Sequence, residues 1–322
     1  MSANTLIEWA HHTVNFWWGC VFARYRDGSV RDECMHCYAK RQAAFFAAGK
    51  ATWAADGQRM IRHEKAAKEL RKLDASARAR GVRERVFINS MSDVFEPRAD
   101  LNVARAALWE EAERATHLDI LLLTKRPGIV LNLVPEAWRK QWPAHVWLGT
   151  TAGTQKAADE NIPDLLAVPA KVRFLSCEPL LGEVNLVNAG GIWADMHGSI
   201  SHEYQQPGRH VDWVICGGES GGGARPMHPD WARALRDQCT AAGVPFFFKQ
   251  WGEWVDCDNC HAPDEAYAGK AEGWLAPDGK FRTGELGVDF FGGDFPIYRV
   301  GKKTAGRLLD GREWSQFPEV AP

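Results

Sequence analysis

Val86-Phe87-Ile88-Asn89-Ser90-Met91-Ser92-Asp93 joins a short apolar run to a polar end, and this combination recurs along the chain. Five more apolar runs of strand type follow it, at 120–123, 146–149, 172–175, 211–215 and 244–248. Helical segments separate most of them, at 101–116, 129–140, 156–168 and 229–242. Apolar strands that alternate with amphipathic helices predict an α/β protein whose parallel sheet is covered by helices. With 13–16 as a first strand, about seven β/α units predict a full or partial TIM-type barrel.

Polar residues stand where the predicted strands end. In a parallel barrel these strand ends converge on one mouth, which is where active sites lie. Glycines allow the backbone to approach a ligand closely, so the pair at 217–218 suits ligand binding as well. The candidate binding residues at strand ends are Ser90, Asp93, Thr124, Lys125, Ser176, Glu178, Gly217, Gly218, Glu219, Ser220 and Lys249.

Three cysteines follow the predicted first strand: Cys20, Cys34 and Cys37, the last directly before Tyr38. Three thiolates are able to hold three irons of a cubane 4Fe–4S cluster, because cysteine thiolate is the usual ligand of such iron. The fourth iron then keeps an open position, where a substrate or cofactor binds. The sequence therefore predicts a metal site with Cys20, Cys34 and Cys37 as ligands, open to the same mouth.

Composition sets the limits of this interpretation. The 322 residues have a formal net charge of −2, so any nucleic-acid footprint must be local. No apolar run approaches the roughly 20 residues of a membrane span, and the start lacks the pattern of an export signal. We therefore expect a cytoplasmic protein that does not contact membranes. We expect a barrel over 1–250, and over 251–322 a partly irregular C-terminal cap rich in Gly, Pro and aromatic residues.

Several motifs together identify a family resemblance. They are Trp18-Gly19-Cys20, Cys34-x-x-Cys37-Tyr38-Ala39, Asn89-Ser90-Met91-Ser92-Asp93, Leu123-Thr124-Lys125-Arg126-Pro127, Phe174-Leu175-Ser176-Cys177-Glu178-Pro179-Leu180, Gly217-Gly218-Glu219-Ser220-Gly221, Phe248-Lys249-Gln250-Trp251-Gly252 and Lys302-Lys303-x-Ala305-Gly306-Arg307. With them the chain resembles the phage-type three-cysteine protein family, a phage-protein domain of unknown function. That family looks like a divergent branch of the radical S-adenosylmethionine (SAM) enzymes.

The resemblance implies an enzyme that uses a 4Fe–4S cluster and SAM to generate a 5′-deoxyadenosyl radical. It further implies a flavodoxin- or ferredoxin-type electron donor. It leaves the substrate open, with a nucleic acid or a nucleotide as the candidate class. The implied catalytic residues are Lys125, Glu178 and Lys249. The implied cofactor contacts are Tyr38, Ser90, Asp93, Thr124, Ser176, Gly217, Gly218, Glu219 and Ser220. One feature departs from radical SAM proteins, which use two short gaps: thirteen residues separate Cys20 from Cys34.

Two alternatives remain open. Cys257-Asp258-Asn259-Cys260-His261 contains a second Cys-x-x-Cys, and with Cys34 and Cys37 it would form a four-cysteine zinc site. The protein would then be a zinc-stabilised nucleic-acid-binding or interaction module without radical chemistry. The segment 59–85, with ten Lys/Arg against four Asp/Glu, is either a solvated helix face or a phosphate-binding patch.

Overall fold

The structure is a computed structural model that describes residues 5, 7–47, 50–206, 208–256, 258–259, 272–283 and 293–319. Its strands are β1 (His12–Val14), β2 (Trp17–Trp18), β3 (Met60–Ile61), β4 (Glu84–Ile88), β5 (Leu118–Thr124), β6 (Val146–Thr151), β7 (Arg173–Cys177), β8 (Trp213–Gly217), β9 (Phe246–Gln250), β10 (Trp254–Asp256), β11 (Glu272–Leu275), β12 (Phe281–Arg282) and β13 (Phe295–Arg299). The helices are α1 (Tyr38–Phe46), α2 (His63–Arg80), α3 (Asn102–Arg114), α4 (Val130–Leu133), α5 (Glu136–Lys140), α6 (Gln155–Leu166), α7 (Pro229–Ala242) and α8 (Lys302–Ala305).

The main sheet has seven strands in the order β1-β4-β5-β6-β7-β8-β9. Its pairing is parallel, as in the registers of β1 with β4 and of β4 with β5. All six residues of β6 and all five of β8 are buried, as expected where helices cover both faces of a sheet. The predicted α/β fold with a parallel sheet is confirmed. Because β1 and β9 stand at the two ends of the order, the sheet corresponds to a partial rather than a closed β/α barrel.

All seven predicted strands and the predicted helices form, with shifted boundaries. The helix predicted over 129–140 is divided into α4 and α5, because Pro135 between them cannot continue the first helix. The helix predicted from residue 59 begins at His63, since Met60 and Ile61 pair with β2 instead.

By compactness the chain divides into two units, and the first consists of Met1–Thr150 and Asp164–Phe174. A fully buried ion pair between Arg59 and Glu96 lies inside this unit. The Arg59 guanidinium also donates to the carbonyl of Ala54, at 3.1 Å, and of Gly57, at 2.8 Å. This arginine therefore fixes the loop that precedes β3.

The second unit consists of Thr151–Pro163 and Leu175–Pro322. Its C-terminal part contains an antiparallel sheet in the order β10-β13-β11-β12, which we did not predict from the sequence. Asp310 forms ion pairs with Arg233 and Arg236 of α7, and so attaches the chain end to that helix. The boundary predicted at residue 250, between barrel and extension, stays a prediction.

Candidate functional site

The loop at residues 19–38, here the cysteine loop, leaves β2 through a glycine. Gly19 has φ +101°, and a Cβ there would lie 2.9 Å from the side chain of Arg59. Its N–H donates to the Met91 carbonyl at 3.1 Å, and the Cys20 N–H donates to the Thr52 carbonyl at 3.2 Å. Glycine is therefore required at this position. The two hydrogen bonds fix the backbone at Cys20, the first predicted ligand.

The long gap between Cys20 and Cys34 folds into a short hairpin. The Arg31 N–H donates to the Ala23 carbonyl at 3.0 Å, which closes the hairpin base, and Gly28 makes its turn at φ +88°. Cys20 and Cys34 each lie three residues outside that base. The hairpin therefore brings together two cysteines that thirteen residues separate in the sequence.

The other two predicted ligands lie at the entry to a helix. Cys34 ends a 3-10 turn, Asp32–Cys34, and Cys37 directly precedes α1. Cys37 is partly buried and packs against the cluster that contains Trp18 and Ala39. A helix N-terminus favours a negative charge, so the position of Cys37 suits a thiolate.

Two cations accompany the thiols. Burial raises the pKa of the Cys20 thiol to about 12, and the positive charge of Arg126 acts against this shift. Burial also raises the pKa of Cys34, against the opposing charge of Lys125. Burial would lower the pKa of Lys125, but the negative charges of Cys34 and Cys37 help to raise it overall. Among the described residues the Lys125 ammonium has no hydrogen-bond or ion-pair partner, which leaves it able to balance an added negative charge.

The three thiols are the donors of the predicted cluster. Cys20, Cys34 and Cys37 are free thiols, the ligand type that iron–sulfur clusters require. Within the described part of the chain, however, no group of three or more His, Cys, Asp or Glu side chains is arranged to hold a metal ion. The chemistry of the three donors fits a cluster. The predicted metal site stays a prediction.

Asp93 accepts four hydrogen bonds at the ends of β4 and β5. Its Oδ1 accepts from the Phe95 N–H at 2.9 Å and from the Thr124 hydroxyl at 2.8 Å. Its Oδ2 accepts from the Lys125 N–H at 3.1 Å and from the Arg126 guanidinium at 2.7 Å. Asp93 is buried and its acceptors are occupied, so this structure gives it and Thr124 a positioning role.

Arg126 joins this network to the cysteine loop, since its second nitrogen donates to the Val21 carbonyl at 2.7 Å. We did not single out Arg126 from the sequence, although it lies in the strand-end motif beside Lys125. The signal was its place directly after two predicted site residues.

Ser90 and Tyr38 meet at the same end of β4. The Tyr38 hydroxyl donates to the Ser90 carbonyl at 2.6 Å, and the Asn15 amide donates to the Ser90 hydroxyl at 3.2 Å. Asn15 also accepts from the Met91 N–H at 2.9 Å, so it fixes this turn. The Tyr38 side chain is 43% exposed, which leaves its ring accessible beside Cys37.

In the second unit, Glu178 and Lys249 form a half-buried ion pair. The Lys249 Nζ donates to Glu178 Oε1 at 2.5 Å. Their strands β7 and β9 flank β8, which ends at Gly217. A Cβ at Gly217 would lie 3.5 Å from both the Glu178 Cγ and the Lys249 Cβ, an ordinary contact distance, so Gly217 adjoins the ion pair.

The remaining part of the glycine motif is used internally. A Cβ at Gly218 would overlap the Trp251 carbonyl oxygen, so close backbone packing requires this glycine. The Glu219 carboxylate accepts from the backbone N–H of Arg225 at 2.8 Å and from its guanidinium at 2.7 and 2.9 Å. Ser220 follows them and is partly exposed. Arg225, which we did not predict as a site residue, therefore occupies the carboxylate expected to bind SAM.

The other cysteines fall into two groups. Cys177, Cys216 and Cys239 are fully buried, and burial raises the pKa of Cys216 and Cys239 well above the usual thiol range. All three cysteines are core residues, and Ser176 is buried as well. Cys257 and Cys260 lie outside the described residues, as does His261, so the zinc alternative stays a prediction.

The basic segment 59–85 is partly neutralised by ion pairs. The pairs are Arg59–Glu96, Arg71–Glu111, Arg80–Glu84 and Arg83–Asp119. Lys65, Lys68 and Lys72 are exposed at the i, i+3, i+7 spacing that places them on one side of α2. The interpretation as a solvated face accounts for the paired arginines, and the three lysines remain available to a ligand.

The fold and the site define a mixed α/β protein with a parallel sheet and a thiol-bearing loop after its first strand. The chain belongs to the family described as "Protein of unknown function (DUF5131)", whose model matches residues 4–318. Comparison with curated proteins gave no match, and comparison with solved structures gave none. Among the described helices, none combines the length and the apolar composition of a membrane span.

Proposed function

We propose that this protein is an iron–sulfur enzyme of the radical SAM type. The observation that supports it best is the cysteine loop, where a hairpin brings Cys20 and Cys34 together and Cys37 stands at the start of α1. The three thiolates would hold a 4Fe–4S cluster, and SAM would occupy its open iron. When bound, the cluster supplies one electron for reductive cleavage of SAM.

Lys125 and Arg126 provide the positive charge that this site needs. Three thiolates bring negative charge into a largely buried loop, and burial alone disfavours it, as the raised pKa of Cys20 and Cys34 demonstrates. Arg126 is held by Asp93 and bonds the cysteine loop, so it stabilises both charge and conformation. Lys125 is the catalytic candidate, because its ammonium faces the thiols without a fixed partner among the described residues.

In the second unit, Glu178 and Lys249 remain the proposed catalytic pair. The Lys249 ammonium donates a hydrogen bond to the Glu178 carboxylate, so a proton donor and a proton acceptor lie side by side, which suits proton transfer to or from a substrate. Gly217 and Ser220 remain proposed cofactor contacts. Gly218 and Glu219 act instead by positioning, since packing and Arg225 engage them.

The proposed chemistry needs two partners, SAM and an electron donor. Cluster reduction needs a one-electron donor of the flavodoxin or ferredoxin type, and such donors operate in the cytoplasm. The radical chemistry itself resides in the cofactor, while the protein binds, orients and excludes water.

The test is anaerobic purification followed by iron, sulfide and zinc analysis, and then incubation with dithionite and SAM. We expect brown protein with about four irons per chain and formation of 5′-deoxyadenosine. Cys34→Ser and Cys37→Ser should each remove the colour, whereas Cys239→Ser, which changes a buried core cysteine, should keep it. Colourless wild-type protein that holds only zinc would contradict the proposal and favour the zinc-stabilised module.

A further inference from the structure

The last turn of α1 exposes two adjacent aromatic rings. Phe45 is 84% exposed and Phe46 is 75% exposed, whereas Ala39 and Ala43, earlier in the helix, are buried. Scattered apolar residues on a surface are ordinary, but here both rings stand together on a nine-residue helix. The small alanines make the core contacts of α1, so packing does not explain the two phenylalanines.

Cations surround this helix within the same unit. The Lys40 ammonium lies 5.2 Å from the ring centre of Phe22 on the cysteine loop. The Arg62 guanidinium lies 5.4 Å from the ring centre of Trp18, which packs against the buried face of α1. Aromatic rings and positive charges are therefore interleaved beside the cysteine loop.

The positive charge continues into α2, which starts one residue after Arg62. Lys65, Lys68 and Lys72 lie along one side of that helix and have no ion pair among the described residues. The acidic Glu64 lies one turn before Lys68, but it forms no ion pair with this lysine among the described residues.

We propose that the exposed last turn of α1, Arg62 and the lysine row form a binding surface for single-stranded nucleic acid. Bases stack on Phe45 and Phe46, and phosphates contact the lysines and Arg62. Stacking on aromatic rings together with a cationic track is the common mode of single-strand binding, and unstacked bases are needed for it. A duplex does not offer its base faces in this way. The local placement of the cations agrees with a net charge of −2 for the whole chain.

This inference rests on the proposed function in one respect. Cys37 directly precedes α1, and about 12 Å of helix axis separates it from Phe45 at 1.5 Å per residue. A strand bound along α1 therefore lies beside the cysteine loop, which makes single-stranded nucleic acid the substrate class of the proposed enzyme.

The test is fluorescence anisotropy of the full chain with fluorescein-labelled 20-nucleotide DNA and RNA, single-stranded and duplex, at several salt concentrations. We expect salt-dependent binding that favours single strands. Phe45→Ala combined with Phe46→Ala should weaken it by about 5- to 150-fold for each base that loses its ring. Lys65→Glu combined with Lys68→Glu should lower the log–log salt slope by about 0.7 for each lost phosphate contact.

Two matched controls fix the interpretation. Val103→Ala changes an apolar residue that is 71% exposed on α3, and Lys140→Glu reverses an exposed charge on α5; neither should alter binding. Circular dichroism and the unfolding midpoint verify that each variant is folded.

Three results would overturn the inference: no wild-type binding at low salt, equal affinity for duplex and single strand, or unchanged binding after loss of both phenylalanines. Iron content and SAM cleavage are measured on the same preparations. Protein that binds single strands but holds no iron would refute the proposed function, whereas the inference about the binding surface would still hold.

Discussion

Replacing Asp93 tests the network at the ends of β4 and β5. Asp93→Ala removes the acceptor of four hydrogen bonds, one of them from the Arg126 guanidinium. Loss of one partner of a buried ion pair costs about 3–5 kcal/mol, because the remaining charge is left uncompensated. Arg126 keeps its hydrogen bond to the Val21 carbonyl, and its side chain is 12% exposed to solvent. Because both stabilise its charge, we expect a cost at the lower end of that range.

We therefore expect Asp93→Ala to lower the free energy of unfolding by about 3 kcal/mol. At about 2–4 °C per kcal/mol for a unit of this size, the melting temperature should fall by about 6–12 °C. Asp93→Asn keeps one acceptor oxygen and loses the charge, so its effect should be smaller. The measurements are urea unfolding followed by tryptophan fluorescence, and differential scanning calorimetry.

Glu110→Ala is the matched control, since it breaks the ion pair with Arg114 in which the side chains are 58% and 63% exposed. Exposed pairs contribute less than about 1 kcal/mol, so this variant should stay close to wild type. If Asp93→Ala and Glu110→Ala unfold at the same urea concentration, the positioning role of Asp93 is wrong.

Three other predictions concern the rest of the chain. Arg59→Met should lower the free energy of unfolding by about 3–5 kcal/mol, because it leaves the buried Glu96 unpaired. The additional change Glu96→Leu should recover much of this loss, as measured by urea unfolding. Equal stability of the single and the double variant would contradict this. Gly218→Ala should destabilise the protein by more than Gly217→Ala in calorimetry, because a Cβ at Gly218 would overlap the Trp251 carbonyl, whereas one at Gly217 would keep ordinary contact distances of 3.5 Å. Equal effects would show that the packing is misassigned. The pKa of Asp310 is lowered, because its hydrogen bonds and ion pairs with Arg233 and Arg236 outweigh the effect of burial. Asp310 therefore contributes to the free energy of unfolding, by at most about 1 kcal/mol. This contribution is present above the ordinary pKa of 3.8 and is lost as the pH falls through the lower pKa of the folded protein. The difference in melting temperature between wild type and Asp310→Asn should therefore be present at pH 6 and should shrink as the pH falls below 3.8, and a constant difference would refute the assignment.

Much of the fold follows from local sequence. The apolar runs predict the strands because a sheet covered on both faces must bury nearly every side chain. The helix predicted over 229–242 forms as Pro229–Ala242, because proline suits the first helical position and Gly243, at φ +69°, ends the helix in the left-handed conformation. The cysteine loop, too, is marked by the spacing of Cys34 and Cys37.

Only the tertiary structure decides which polar side chains are engaged in hydrogen bonds within the protein and which remain available to a ligand. Asp93 and Glu219 looked equivalent to Lys125 in the sequence, since all three follow apolar strands. Folding gives Asp93 the donors of another strand and Glu219 the guanidinium of Arg225, whereas Lys125 keeps no fixed partner among the described residues. A buried carboxylate must find donors, and the donors come from chain segments that local sequence patterns do not connect.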